Sequence, residues 1–407
     1  MEKIRFIIVG SGWRSLYYVR IAKALPEKFE LCAMLCRTPE KAEKMRQEND
    51  IYTTTSIEEC RNMKPDFVVV VVNKASIAEV SKEWMDYGFT VLCETPAAQD
   101  LSVLKELWEY HRRGKRLVVA EQYCAYATYK GMQKLIDRGM IGTPQGLNIS
   151  LAHEYHGASL MRMFLQEAVA TPFMVSAKRY EFETVETLSR YECFTDGRTA
   201  LKKRTVATFE FEDGKVAWYD FDSEQYRSPI RHKYIRLRGT KGELSDNELF
   251  YLDEKFMPNQ AKIKISDRDL SSVRKNPNGQ KSREVVKIVL QKEAEEELLY
   301  EAIFGCCNLT EDETAIATLM LEAAEYQKAW EMIEKQNGAG KVLPENGKAG
   351  SGKPTGSQEK SLWADAVVKR QKAALQNALQ DSYMAILLQE AIVTGEKVMS
   401  QSQIWQK

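Results

Sequence analysis

Histidine is scarce in this sequence: of 407 residues only His111, His153, His156 and His232 carry an imidazole. No third ligand stands at a suggestive spacing beside His153 and His156, so no metal site is expected. Cysteine is present but not patterned. The eight (Cys32, Cys36, Cys60, Cys93, Cys124, Cys193, Cys306 and Cys307) include no C-x-x-C pair, which argues against zinc. Several fall inside predicted buried strands, where a free thiol acts as a small hydrophobe, and a reducing, cytoplasmic compartment is expected. Net charge is missing as well, because 58 Lys and Arg cancel 58 Asp and Glu. Without a basic excess, neither nucleic acid nor a membrane surface is an expected partner. The densest apolar run, Phe67 to Val72, has the length of a strand rather than of a membrane span. The N-terminus shows no charged head, apolar core and cleavage site of a signal peptide.

What is present fits a globular enzyme. The chain is 44% hydrophobic and 29% charged, and is too long for one ordinary core, so two domains are expected. It opens with a short apolar run, Ile4 to Val9, that breaks into Gly10-Ser11-Gly12-Trp13-Arg14-Ser15 and passes at once into a helical pattern. Glycines let the backbone turn tightly and approach a ligand, and the helix start favours an anion. The spacing is that of the dinucleotide fingerprint G-x-G-x-x-G, with Ser15 at the third glycine. Ser is small enough for the close helix–strand packing which that position needs. Trp13 and Arg14 are expected to face the pyrophosphate and the domain cleft.

The next segments alternate between strand and helix. Phe29 to Leu35 reads as a strand that ends in Cys36-Arg37-Thr38, with a helix from Pro39. An NAD site usually has an acid at this strand end; Arg37 and Thr38 instead suit a 2′-phosphate, so NADP is favoured, with NAD as the alternative. Asp66 to Val72 contains five successive valines and leads to Asn73 at the ligand-facing strand end. Phe89 to Cys93, followed by Glu94-Thr95-Pro96, and Arg116 to Ala120, followed by Glu121-Gln122-Tyr123, are two more strands. This alternation predicts a doubly wound parallel sheet over residues 1–122.

From about Ile141 the pattern changes to period-two strands, among them Thr205 to Glu212 and Lys215 to Asp222, joined by an Asp213-Gly214 turn. Residues 123–407 are therefore expected to form an α+β domain on a largely antiparallel sheet, with one face free for a dimer or a substrate cleft. Lys255 to Ser282 reads as a polar excursion, Ser282 to Gly305 as a helix, and Asp312 to Lys335 and Leu362 to Thr394 as two more. Residues 337–360, rich in Gly, Pro, Lys and Ser, read as an inserted linker.

Together these motifs resemble the Gfo/Idh/MocA oxidoreductases, the group of glucose–fructose oxidoreductase and inositol dehydrogenase. The opening glycine turn matches. Val91 to Pro96 resembles the V-x-C-E-K-P signature, and Tyr129 to Gly142 the helix and G-x-I-G entry to the second domain. Leu237 to Glu243 resembles the G-T-x-G turn, and Asp381 to Gly395 with Gln403-Ile404-Trp405 the closing helix and tail. The resemblance implies an NAD(P)-dependent enzyme for a sugar, polyol or related small molecule, and the sheet face free for pairing leads to the expectation of a homodimer or homotetramer. It also exposes two departures. Thr95 stands where the family has the lysine of E-K-P, and Ala152 where it has the Asp of D-x-x-x-H, while His156 keeps the histidine. Catalysis would then rest on His156, with His153 and Tyr123 as further polar candidates. Cofactor contacts are expected from Gly10, Ser11, Gly12, Trp13, Arg14, Arg37, Thr38, Asn73, Glu94, Thr95, Pro96 and Gln122. The altered positions leave two other readings open: a tightly held cofactor used for transient oxidation in glycoside cleavage or epimerisation, and a nucleotide-binding pseudoenzyme that senses or scaffolds.

Overall fold

The computed structural model describes residues 2–189, 192–266, 274–275, 281–282, 287–292, 295–304, 309–337 and 356–407. They cluster into two compact units. The first comprises 1–125, 274–282 and 303–379, and the second 126–273, 283–302 and 380–407.

The first unit is a parallel six-stranded sheet. In chain order it contains β1 (Ile4–Val9), α1 (Ser15–Ala24), β2 (Phe29–Leu35), α2 (Pro39–Asn49), β3 (Thr53–Thr54), α3 (Ile57–Asn62), β4 (Phe67–Val70), α4 (Ile77–Asp86), β5 (Val91–Cys93), α5 (Leu101–Arg112) and β6 (Leu117–Val119). The strand order is β3-β2-β1-β4-β5-β6 and every pairing is parallel. β4 is buried along its whole length, as a central strand covered on both faces must be. The order reverses between β1 and β4, which opens a crevice at their carboxyl ends. The short β3 and α3 carry no marked apolar period and escape a reading by pattern.

The second unit begins with α6 (Ala127–Asp137), β7 (Pro144–Ser150) and α7 (Glu154–Leu165). The strands β8 (Phe173–Val185), β9 (Thr199–Phe211), β10 (Val216–Asp222), β11 (Tyr234–Gly239), β12 (Gly242–Ser245), β13 (Glu248–Leu252) and β14 (Pro258–Ile265) follow. A two-residue pair, β15 (Arg274–Lys275) and β16 (Lys281–Ser282), precedes β17 (Lys287–Lys292) and β18 (Glu295–Glu301). The helices α8 (Glu311–Asn337) and α9 (Gly356–Thr394) and the strand β19 (Val398–Met399) close the chain. Eleven strands form one sheet in the order β18-β17-β14-β13-β12-β11-β7-β10-β9-β8-β19. It is antiparallel except for the β7–β10 pair. Gly214, at φ +88°, makes the β9–β10 turn expected from Asp213-Gly214.

Three expectations need correction. Ser282 to Gly305 is not a helix: its described residues form the β17–β18 hairpin. Helix-forming Glu and Lys dominate there, but Ile288, Val289 and Leu290 are buried where α6 packs over the strands, and tertiary contact overrides propensity. The excursion expected from Lys255 contains strand β14, while 267–273 and 276–280 lie outside the described residues. The second domain does not run unbroken from 123, because 303–379 cluster with the first unit. Phe304, Ile316, Met320, Ala323, Tyr326 and Ile333, with Val367 and Val368 of α9, are buried in one core with Phe6, Tyr18, Phe29 and Phe67. Of the expected linker, 338–355 lie outside the described residues, and 356–360 begin α9.

Candidate active site

In the first unit the turn after β1 is built as the fingerprint requires. Gly10 has φ +117°, and a Cβ there would stand 2.1 Å from the Val71 carbonyl oxygen. No larger residue fits at that crossing. A Cβ on Gly12 would meet nothing within 4 Å, so this glycine leaves the space open for a ligand. Ser15, fully buried, donates its hydroxyl hydrogen to the Gly12 carbonyl at 2.6 Å. The departure from a third glycine is thereby used to close the turn. α1 starts with no capping side chain and no acid in its first turn; the N–H groups of Ser15, Leu16 and Tyr17 donate to the carbonyls of Gly12, Trp13 and Arg14, and the positive dipole end still favours an anion at the turn.

This turn lines a cleft of about 820 Å³ whose walls include Gly10, Ser11, Gly12, Trp13, Arg14, Cys36, Arg37, Thr38, Lys41 and Asn73. No carboxylate is among the lining residues, so the acid that would receive the ribose hydroxyls is absent from the end of β2. Thr38 caps α2, its hydroxyl oxygen accepting the Lys41 N–H at 3.3 Å while its hydroxyl also hydrogen-bonds the Glu40 carboxylate. Lys41 carried no motif in the sequence; only its place one helical turn into α2 brings it to the cleft.

Arg14 lines the cleft, but its guanidinium is committed inward. It donates to Glu94 at 2.8 Å and to Asp312 at 2.6 Å, and the Tyr18 hydroxyl donates to the same Glu94 oxygen at 2.8 Å. Burial opposes the Arg14 charge, yet Glu94 and Asp312 outweigh it and hold the guanidinium protonated. Burial, then Glu94, keeps Tyr18 a neutral phenol. Glu94, Thr95, Pro96 and Gln122 are not among the cleft-lining residues. Gln122 is nevertheless buried at the carboxyl end of β6 with a side-chain oxygen that accepts no hydrogen bond, an acceptor of the kind a carboxamide donor satisfies. Tyr123 is buried beside it, its N–H donating to Glu121 at 3.2 Å. Four thiols of this unit, Cys32, Cys36, Cys60 and Cys93, are held protonated. Burial raises Cys36, and pushes Cys60 and Cys93 up to about 12.

The second unit brings its two histidines together where β7 gives way to α7. His153 is the N-cap of α7 and His156 lies in its first turn, with ring centroids 4.9 Å apart. His156 is buried and its ring stands 4.4 Å from that of Tyr155. Tyr219 shapes this bend: its hydroxyl donates to the Ala152 carbonyl at 3.0 Å and accepts the Glu154 N–H at 2.9 Å. Burial keeps Tyr219 a neutral phenol. Gly157 is required below it, because a Cβ would come within 2.8 Å of the Tyr219 ring. One turn further on, Arg162 is buried in an ion pair with Asp381 at 2.7 Å, which ties α7 to the second half of α9.

Residues 4–122 match the family model described as "Oxidoreductase family, NAD-binding Rossmann fold". These residues are similar to the nucleotide-binding domain of the Gfo/Idh/MocA family. Solved oxidoreductase structures are similar over almost the whole chain. An oxidoreductase from Agrobacterium radiobacter, in complex with NAD+, L-tartaric acid and magnesium, is 12% identical over 98% of each chain with a TM-score of 0.57. A scyllo-inositol dehydrogenase from Lactobacillus casei is 13% identical over 98% of each chain with a TM-score of 0.54. A putative NADPH-dependent oxidoreductase from Desulfitobacterium hafniense is 14% identical over 98% of each chain with a TM-score of 0.55. At such identities the likeness establishes the fold. No curated protein matches the chain.

Proposed function

We propose that this protein is an NADP-dependent oxidoreductase that moves hydride between nicotinamide C4 and a carbon of a sugar, polyol or related hydroxylated small molecule. The observation that carries this reading is the end of β2. There Arg37, Thr38 and Lys41 line one cleft with the Gly10–Gly12 turn, and no carboxylate lines it. Two cations match a 2′-phosphate, and the carboxylate that would receive the ribose hydroxyls of NAD is missing from the lining. In the oxidative direction His156 takes the substrate hydroxyl proton as the carbon loses hydride. The substrate class is supported by the likeness to an inositol dehydrogenase. Exposed Tyr180, Phe182, Trp218 and Phe250 on the open sheet face support assembly with further copies of the chain. The high, burial-suppressed thiols suit a reducing compartment.

Titration of the full chain with NADPH and NADH tests the cofactor assignment. NADPH is expected to bind at least about tenfold more tightly, a preference of about 1.4 kcal/mol, and Arg37→Asp is expected to abolish it. Equal affinities in the unaltered protein would remove the argument. Turnover of the preferred cofactor against sugars, inositols and keto-sugars tests the substrate class. There His156→Ala should lower kcat by about 10²-fold or more.

A further inference from the structure

β11 begins beside the end of β7: Tyr234 pairs with Ser150 and Ile235 with Ile149. Alternation of side chains along a strand puts Lys233, just before β11, on the face that buries Ile235 and Leu237. The bend from β7 into α7, with His153 at the N-cap, lies at the same end of the sheet. Gln225 fixes this corner. It is buried in the 3-10 turn Ser223–Tyr226, and its carboxamide donates to the Ser150 hydroxyl at 2.7 Å and to the His232 carbonyl at 3.0 Å. The next residue of that turn, Tyr226, stands against His153 with ring centroids 5.6 Å apart, and Tyr155 stands against the same imidazole at 4.8 Å. The Lys233 ammonium lies over the Tyr226 ring, 5.3 Å from its centroid.

Three neighbouring cations have counter-ions. Arg231 faces Glu224 at 3.6 Å, Lys202 faces Glu186 at 2.6 Å, and Arg204 is bonded to Asp220. Lys233 differs. Among the described residues no carboxylate stands within ion-pair distance of its ammonium, and burial lowers its pKa with no opposing charge to restore it. The stem stays open to solvent, so a ligand can reach it. The Tyr226 ring face attracts a cation only weakly. A partly desolvated ammonium with no counter-ion is best completed by an anion, which makes charge-assisted hydrogen bonds to it.

We propose that Lys233 is a substrate-contacting residue that takes an anionic group, so that the sugar or polyol handled here is a sugar acid or a sugar phosphate. Lysine presents a compact point charge rather than a fork, and a carboxylate or a phosphate monoester fits it equally. Lys233 holds the charged end of the molecule while His156 serves the hydroxyl. The inference rests on the dehydrogenase reading for the carbon skeleton, but not for the charge.

Calorimetric titration of the full chain, with and without NADPH, tests it. The probes are D-gluconate, D-glucuronate and D-glucose 6-phosphate, set against D-glucose and myo-inositol. At least one of the three anions is expected to bind about tenfold or more tightly than D-glucose. Sugar acids ahead of the phosphate assign a carboxylate, and the reverse order assigns a phosphate. Lys233→Ala should bring the preferred anion down to the level of D-glucose, whereas Lys233→Arg should keep most of the preference. An unchanged melting temperature shows that each variant is folded. Anions that bind no better than D-glucose to the unaltered protein overturn the proposal, whatever becomes of the variants. So does a preference unmoved by Lys233→Ala. The titrations need no turnover. Anion binding through Lys233 without hydride transfer would remove the dehydrogenase reading alone, and turnover confined to neutral sugars would remove this inference alone.

Discussion

His111 shows how far burial alone can alter one residue. It lies on α5 with its ring stacked on Trp108 at 5.1 Å, and its Nδ1 is buried with no hydrogen-bond partner. Burial, and then the Lys372 ammonium, lower it from the ordinary 6.5 to about 4. The unfolded chain therefore takes up a proton near pH 6.5 that the folded chain refuses until about pH 4. The associated stability is present above pH 6.5 and is lost as the pH falls towards 4, by roughly 3 kcal/mol at most. His111→Phe should flatten the decline in melting temperature between these pH values, and an unchanged decline would show that other groups cause it. At the same scale, Arg14 illustrates a role that sequence could not assign. Its place two residues after Gly12 suggested a cofactor contact, but a buried carboxylate 80 positions away and another from α8 hold its guanidinium.

Among the elements, the β17–β18 hairpin is the plainest case of tertiary structure overruling local preference. Its sequence is charged and rich in helix formers, and neither period is sustained. The hairpin exists because α6 lies over it. Gly131 of α6 is the point of closest approach, since a Cβ there would stand 2.5 Å from Ile288 Cγ2 and 3.2 Å from its Cβ. Ile288 is stiff at this branch and cannot swing clear. Gly131→Ala should gain about 1 kcal/mol in helix propensity and lose about 1–3 kcal/mol to overpacking. The expected outcome is a net fall in denaturation midpoint, recovered in part by adding Ile288→Ala. A more stable single variant would mean that helix and hairpin are not in contact. The α1 turn is the opposite case. Gly10, Gly12 and Ser15 were legible because sterics at one or two atoms decide them, and no distant partner is needed to see it.

For the whole molecule, the nucleotide-binding unit is not continuous in the chain. Its core takes Phe304, Ile316, Met320, Tyr326 and Ile333 from after the second sheet. A fragment ending at residue 125 would expose the apolar surface of α1, β4 and β5 that α8 covers. Such a fragment is expected to bind NADPH weakly and to unfold without a cooperative transition, whereas the full chain unfolds cooperatively. Cooperative melting of the fragment would show that α8 is an accessory to this core. The alternation of strand and helix, which stops near 122, is what places the expected boundary there, and the first unit's opening segment ends at Ala125. The return of α8 was not legible, because an amphipathic helix records that it has a buried face and not which sheet it covers.

Sequence by itself determined the parallel sheet, the glycine turn and the acid-free end of β2, together with the resemblance that the match over residues 4–122 now carries. Each is written in neighbouring residues through strand burial, backbone sterics or the charge at one strand end. Only tertiary structure decided that Lys41 joins Arg37 at the cleft, that Arg14 faces Glu94 and Asp312, and that His153 is enclosed by Tyr155 and Tyr226. Those arrangements depend on contacts between distant positions, where geometry rather than residue type selects the partner.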